Sequence, residues 1–129
     1  MDIVVTIPKN KLKEVMEEES YIKSLSKEEK ERYTYYWTTS RLPKEKPNRI
    51  YFVWDNAIRA FHYCTNMVDA GYDFSETFPP RDYTKPCFLL DTIIHEVEPI
   101  IKMKSFRGWR YFTVDLILKN DPSWLLREY

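Results

Sequence analysis

The feature that most constrains the fold is a pair of β-rich runs separated by two residues. Residues 49–54 read RIYFVW, residues 57–65 read AIRAFHYCT, and Asp55 and Asn56 lie between them. β-branched and aromatic residues favour strands, whereas Asp and Asn tolerate the positive φ angles that a two-residue hairpin turn needs. The pattern therefore predicts a β-hairpin over residues 49–65.

Shorter patterns predict the remaining elements. Ser26 and Glu29 have the spacing of a capping box that opens a helix. In chain order the predicted elements are a strand at 2–7, an amphipathic helix at 11–19, a helix at 27–36, a loop at 38–48, the hairpin, an irregular connection at 66–86, strands at 87–97 and 111–118, and a helical turn at 122–129. About five strands, two N-terminal helices and a short C-terminal helix predict an α+β fold, namely a small mixed β-barrel formed by one domain over residues 1–129.

Composition excludes some classes of site. The chain has two glycines in 129 residues and contains neither GxGxxG nor GxxxxGK[ST], which excludes the glycine-rich phosphate loops. The two cysteines form no CxxC motif and predict reduced, buried thiols. An apolar run near the N-terminus is broken by Pro8 and is too short for a signal sequence or a membrane span. We therefore expect a cytoplasmic protein with no membrane partner.

Positive charge is concentrated in two segments, although the whole chain carries 20 basic and 20 acidic residues. Residues 41–49 hold four cations against one acid, and residues 102–110 hold four cations and no acid. The second segment continues as KMKSFRGWRYF, residues 102–112, in which cations alternate with aromatic rings. Proteins that bind nucleic acid concentrate Lys and Arg in this way.

The stretch KMKSFRGWRYF supports two interpretations. In the first it is a nucleic-acid surface, where Arg107 and Arg110 contact phosphates or base edges and Trp109 or Phe106 stacks on a base. In the second, Phe106, Trp109 and Phe112 pin a loop to the core while the Lys and Arg side chains cover it. The two interpretations can coexist, because anchored rings would hold the arginines still.

A second stretch, residues 33–41, places Trp37 where a predicted helix gives way to a polar loop. Thr38, Thr39 and Ser40 offer three hydroxyls that can read the edge of a base. The alternative is a helix C-terminus at which these hydroxyls satisfy backbone groups.

No spacing in the chain predicts a metal site. His62, Cys64, Cys87 and His95 have the ligand chemistry of a zinc site. Their spacing matches no metal motif, so we expect four separate buried side chains. No cofactor, metal ion or catalytic residue is expected.

Three stretches, VVTIPKNKLKEVMEE, KPNRIYFVWDNAIRAFHYC and EVEPIIKMKSFRGWRYF, carry a likeness to known domains. They resemble the first strand and helix, the hairpin and a late basic and aromatic segment of the PUA-like superfamily, which includes the PUA, ASCH, EVE and YTH domains. The resemblance extends over most of the chain. It implies a small β-barrel that binds RNA, or a modified base in RNA or DNA, in an aromatic pocket. Since the ASCH signature GxKxxExR is absent, the resemblance implies a fold and a ligand class rather than an activity.

We therefore expect a nucleic-acid binding module that holds one base, including a modified or flipped-out base, near Trp37 and Trp54. The two cationic segments would contact the flanking phosphates. The expected contact residues are Trp37, Thr38, Thr39, Ser40, Arg41, Lys44, Lys46, Arg49, Trp54, Lys102, Lys104, Phe106, Arg107, Trp109 and Arg110. The sequence does not distinguish RNA from DNA and does not specify an oligomeric state.

Two other functions are compatible with the sequence. A small hydrolase acting on a modified nucleoside or amide would need a lysine or glutamate with a perturbed pKa inside the pocket. The nearest candidates are Lys104 and Glu98. A protein-interaction domain would instead expose a large aromatic patch without a cationic rim.

Overall fold

The computed structural model describes residues 1–81 and 84–126, which form seven strands, three α-helices and a short 3₁₀ helix. The strands are β1 (Ile3–Thr6), β2 (Tyr35–Thr38), β3 (Arg49–Trp54), β4 (Ala57–Val68), β5 (Cys87–Leu90), β6 (His95–Lys102) and β7 (Trp109–Tyr111). The helices are α1 (Lys9–Ser24), α2 (Lys27–Arg32) and α3 (Val114–Asn120), and the 3₁₀ helix is Trp124–Leu126.

All seven strands belong to one mixed sheet with the order β2-β5-β4-β3-β1-β7, and β6 pairs with β4. β1 and β3 run parallel, whereas the other strand pairs of the described residues are antiparallel. β4 pairs with β3 along one edge. Its other edge pairs first with β6 and then, from Cys64 onward, with β5. The long β4 strand therefore joins the two halves of the sheet.

The sheet is open, because within residues 1–81 and 84–126 no strand pairing joins β2 to β7. The predicted small mixed β-barrel of about five strands, with two N-terminal helices and a short C-terminal helix, is therefore wrong. The protein is an α+β fold with three helices and a seven-stranded mixed sheet. Closure would need the two edge strands to be neighbours, and here they lie at opposite ends of the strand order.

Two assignments in the middle of the chain explain the additional strands. Residues 87–97, predicted as one strand, form β5 and the start of β6 with a break at 91–94. The predicted helix at 27–36 ends early, and its last residues begin β2. The run of aromatic residues there favours a strand and pairs with β5, from Tyr35 opposite Leu90 onward.

The C-terminal part also differs from the prediction. Residues 111–118, predicted as a strand, contain the end of β7 and then most of α3. The helix begins because the Thr113 hydroxyl accepts a hydrogen bond from the Leu116 N–H at 3.2 Å, which is an N-cap. Of the predicted helical turn at 122–129, three residues form the 3₁₀ helix, and residues 127–129 lie outside the described residues.

The predicted hairpin is confirmed. β3 and β4 are antiparallel neighbours, and Asp55 and Asn56 have φ angles of 49° and 56°. Both central residues of the turn thus have positive φ, which is the requirement for the two-residue turn that matches strand twist. β4 extends beyond the predicted end to Val68.

The two faces of the sheet pack against different helices, α1 on one face and α3 on the other. Ile3 and Val5 of β1 belong to a buried cluster with Ile22 of α1, whereas Val4 belongs to a second cluster with Ile117 of α3. This alternation follows from the period of two along a strand.

Candidate nucleic-acid interface

A large cavity lies where the carboxyl ends of β1 and β3 meet the start of α1. It has a volume of about 780 Å³ and is lined by residues 6–9 and 12, the hairpin turn at 54–56, and the loop at 105–108. Small-molecule sites in proteins usually have volumes of about 300–1,000 Å³. We call this the hairpin cavity.

The local structure explains why these three segments meet. Thr6 lies beside Val53 in the parallel pair, so β1 and β3 end at the same edge of the sheet. The Phe106 N–H donates to the Thr6 hydroxyl at 3.1 Å, and the Met103 N–H donates to the Asn56 carbonyl at 3.1 Å. These bonds fix the loop that precedes β7 against both the end of β1 and the hairpin turn.

The wall of the hairpin cavity combines aromatic rings with cations. Trp54 and Phe106 are half-buried, and Lys9 and Arg107 are exposed. Among the described lining residues, Asp55 is the one acidic side chain. The cavity therefore offers rings to a flat apolar ligand and a positive charge to an anionic one.

The start of α1 adds to this positive potential. The helix is 16 residues long, Pro8 is its N-cap, and within the described part of the chain no side chain caps it. Its first turn contains no acid. The positive end of the helix dipole is therefore not neutralised locally and favours an anion beside Lys9.

A second, smaller cavity of about 190 Å³ adjoins the first, and Thr6 and Gly108 lie in the walls of both. We call it the hydroxyl cleft, because residues 37–40, which include three hydroxyl side chains, line it together with Lys85. One of those hydroxyls is already used, since the buried Thr39 donates to the Arg41 carbonyl at 2.9 Å.

A third cavity, of about 260 Å³, lies between α1 and β2 and shares Pro8 with the hairpin cavity. We call it the helix cavity. Its wall contains Trp37, which also lines the hydroxyl cleft, and the acids Glu14 and Glu18. Trp37 and Trp54 thus line neighbouring cavities that share wall residues, and none of these three cavities, as the described residues form them, contains both rings.

The two cationic segments meet at one pair of residues. Trp109 is buried at 6% exposure, and its indole N–H donates to the Arg41 carbonyl at 2.9 Å. The Arg41 guanidinium lies 4.1 Å from the centre of the Trp109 ring, and that of Arg110 lies 4.5 Å from the centre of the Phe106 ring. Trp109 is therefore a core ring covered by an arginine, as the packing interpretation of KMKSFRGWRYF expects.

The rest of the first cationic segment lies elsewhere. Arg49 is at the opposite end of β3 from Trp54, five strand residues or about 17 Å away. Its guanidinium lies 5.2 Å and 5.4 Å from the ring centres of Phe61 and Tyr63. The Lys46 ammonium donates to a β4 carbonyl at 2.9 Å on the same side. The structure therefore brings only the Arg41 end of this segment close to the hydroxyl cleft.

Three further predicted residues, Lys44, Lys102 and Lys104, are exposed. The backbone N–H groups of Lys102 and Lys104 donate to Asp121 and Asn120 at 3.1 Å and 3.0 Å, which ties this segment to the end of α3. None of the three lines the hairpin cavity or the hydroxyl cleft as the described residues form them.

The candidates for a hydrolase do not come together. Lys104 and Glu98 are both exposed. Glu98 lines a groove beside Pro99 and Trp124 on the α3 face, and Lys104 is not part of that groove among the described residues. This arrangement counts against a catalytic pair made by these two side chains.

Sequence reasoning missed a buried network around His62, which it expected to be an isolated side chain. His62 Nε2 lies 2.7 Å from Glu19 Oε2, and His62 Nδ1 lies 3.0 Å from Asp91 Oδ1. The Tyr35 hydroxyl donates to the same Glu19 oxygen at 2.9 Å. No local pattern could reveal the network, because the carboxylates lie 43 and 29 positions from His62.

The network favours the protonated form of His62. Burial alone would lower the pKa of His62, but the hydrogen bonds and charges of Asp91 and Glu19 outweigh it and raise the pKa to about 9. Burial and the neighbouring Glu19 carboxylate also raise the pKa of Tyr35. At 1% exposure His62 cannot touch a ligand. We therefore assign the network the structural role of holding α1 over the sheet, which fixes one wall of the hairpin cavity.

The cysteines do not form a reactive or metal-binding site. Cys64 and Cys87 are buried and free, and burial raises the pKa of the Cys64 thiol to about 11, which disfavours a nucleophilic thiolate. No group of three or more His, Cys, Asp or Glu side chains suited to a metal ion occurs in the part of the chain that the structure describes.

Among the described residues, no helix combines the length and the apolar character that crossing a bilayer requires. Comparisons of the chain with protein-family models, with curated proteins and with solved structures found no match. The resemblance to the PUA-like superfamily thus stays a prediction.

Proposed function

We propose that the protein binds single-stranded RNA or DNA in the cytoplasm, with one base inside the hairpin cavity. The observation that carries the proposal is the composition of that cavity. Two half-buried aromatic side chains, Trp54 and Phe106, share its wall with two exposed cations, Lys9 and Arg107. The cytoplasmic location rests on the two free cysteines.

An unpaired base fits the chemistry of this wall. Aromatic rings bind the faces of bases, and each stacked base contributes about 1–3 kcal/mol to affinity. Bases inside a duplex are already stacked and paired, so a base that is single-stranded or flipped out enters a cavity at the lowest cost. A modified base fits the same description, because its additional group would occupy part of a cavity of about 780 Å³.

The charge distribution limits the number of phosphate contacts. The chain has equal numbers of basic and acidic residues, and few cations of the described residues lie beside the hairpin cavity. For single strands, the logarithm of the binding constant falls with the logarithm of salt concentration by about 0.7 per phosphate contacted. We therefore expect a shallow slope of about −1.5 to −2, which corresponds to two or three phosphates.

A binding role agrees better with the buried groups than a catalytic role does. His62, Tyr35 and Cys64, whose pKa values are raised, are buried away from the hairpin cavity. Rings accompanied by cations also differ from the ring patch without a cationic rim that would indicate a protein-interaction domain.

The test is fluorescence anisotropy with labelled oligonucleotides of about 10 residues, between about 50 and 200 mM salt. Arg107→Ala should weaken binding about tenfold and reduce the salt slope by about 0.7, because one phosphate contact is lost. Lys23→Ala is the matched control: it also removes one exposed positive charge, but it lies about 21 Å from Lys9 along α1. An equal loss in both variants, or no binding by the unmodified protein, would overturn the proposal.

The aromatic part of the proposal has its own variant. Phe106→Ala should weaken binding about 5- to 150-fold, the range expected for one lost stacking contact. The salt slope should stay as it is, because no cation is removed. A change in slope without a change in affinity at low salt would mean that Phe106 acts only by positioning the Arg110 guanidinium over its ring.

A further inference from the structure

We infer that the hydroxyl cleft is a phosphate subsite and that the bound strand passes over Gly108 from the hairpin cavity into this cleft. The inference rests on the proposed function, which it extends from one bound base to a base with its adjoining phosphate. The proposed subsite is a second contact region. Of its described lining residues, Gly108 alone belongs to KMKSFRGWRYF.

The side chains of the cleft suit a phosphodiester group. Lys85 supplies an ammonium group, and Thr38 and Ser40 supply hydroxyl donors. Lys, Ser and Thr are among the usual partners of phosphate oxygens in protein–nucleic acid complexes. The residues that the structure describes in this wall include no acid. A negatively charged group therefore meets donors there and no like charge.

Gly108 borders both cavities at the point where the proposed strand would pass from one to the other. It has a φ angle of +72°. Apart from Gly108 and its two chain neighbours, no atom of the described residues lies within 4 Å of the position that a Cβ atom would occupy, so this space is available to a ligand. Positive φ favours glycine, and among the other residues Asn and Asp tolerate it best.

The other routes out of the hairpin cavity are less favourable to a polyanion. The wall of the helix cavity has the carboxylates of Glu14 and Glu18 against the ammonium group of Lys11, so the charged groups described there are net negative. Arg49 and Lys46 could attract a phosphate, but they lie at the far end of β3, about 17 Å from Trp54. The hydroxyl cleft, in contrast, adjoins the hairpin cavity directly and has no acid among its described lining residues.

The test compares two variants that differ only in charge. Gly108→Asn and Gly108→Asp place side chains of the same size in the passage, and both residues tolerate positive φ. The probes are the four ribonucleosides, their 5′- and 3′-monophosphates and the corresponding dinucleotides. Each probe competes with the labelled oligonucleotide, and inorganic phosphate serves as the control for a free anion.

For the unmodified protein we expect one monophosphate to compete about tenfold better than its nucleoside, because it adds a charge-assisted contact. Gly108→Asn should keep most of that gain, and Gly108→Asp should abolish it. Lys85→Glu should abolish it too, and this variant tests the subsite without changing the backbone at position 108. The melting temperature of each variant checks that it is folded.

The outcomes separate the subsite from the proposed function. If a nucleoside competes and neither monophosphate nor dinucleotide improves on it by more than about twofold, the subsite is overturned while the base site stands. The subsite is also overturned if the monophosphate still competes better than its nucleoside in both Gly108→Asp and Lys85→Glu. If inorganic phosphate alone competes as well as the monophosphates, the cleft binds free anions and the inference fails. If the unmodified protein binds no oligonucleotide at all, it is the proposed function that fails.

Discussion

The Arg41 guanidinium lies 4.1 Å from the ring centre of Trp109, and the Trp109 indole N–H donates to the Arg41 carbonyl at 2.9 Å. The two residues are 68 positions apart, and they join the two cationic segments of the chain. Trp109 also pairs with Val5 of β1, so the contact ties the polar loop after β2 to the sheet. The position of Ser40 beside the hydroxyl cleft depends on this attachment.

The first prediction concerns the energy of this pair. Trp109→Phe should lower the free energy of unfolding by about 1–3 kcal/mol, because the buried indole loses its hydrogen bond and some of its volume. Arg41→Ala should cost about 0.5–1 kcal/mol, the usual energy of an exposed cation–π contact. Urea denaturation of the single and double variants measures both. The double variant should lose less than the sum, and strict additivity would mean that the two residues are not coupled.

The second prediction compares two glutamates of α1. Glu19 is buried and bonded to His62 and Tyr35, so Glu19→Ala should cost about 3–5 kcal/mol of stability by leaving the buried His62 Nε2 and the Tyr35 hydroxyl without their common partner. Glu17 is exposed and lies 3.9 Å from Lys13, so Glu17→Ala should cost less than about 0.5 kcal/mol. Thermal and urea unfolding measure both variants. Similar losses in the two would contradict the structural role of the His62 network.

The third prediction concerns pH. The pKa of His62 is raised from its ordinary value of 6.5 to about 9 in the folded protein, so protonation of His62 stabilises the fold. The contribution, about 3 kcal/mol, should be fully present below pH 6.5 and should be lost as the pH rises through about 9. Urea denaturation at a series of pH values measures it.

The controls for the pH prediction use the two histidines of the chain. His62→Gln should flatten the dependence between pH 6.5 and 9, because the titrating group is gone. His95→Gln should preserve it, since His95 is part-exposed and lies 3.9 Å from Asp91 at the edge of the network. A slope that persists unchanged in His62→Gln would show that another group causes it.

Local signals in the sequence predict part of the fold correctly. The hairpin was predictable because Asp55 and Asn56 tolerate positive φ and lie between two β-rich runs. The capping box formed by Ser26 and Glu29 also occurs as its spacing predicts. Each of these features depends on residues that are close together in the chain.

Features that depend on distant partners could not be predicted. The strand at Tyr35–Thr38 owes its conformation to pairing with β5, some fifty positions later, and the sheet stays open because its edge strands do not meet. The same limit applies to the site. Trp54, Phe106 and Arg107, which were predicted as contact residues, line the hairpin cavity. Lys9 and Lys85 carry no local signal, and only the fold brings them to the walls of the candidate cavities.

The measurement that tests the central claim most directly is an NMR titration of the ¹⁵N-labelled protein with a single-stranded oligonucleotide. The account predicts the largest amide shifts at residues 54–56 and 105–108, which line the hairpin cavity, with small shifts at Arg49 and Tyr63 at the far end of the sheet. Shifts concentrated at Arg49 and Tyr63, with residues 54–56 and 105–108 unchanged, would contradict it.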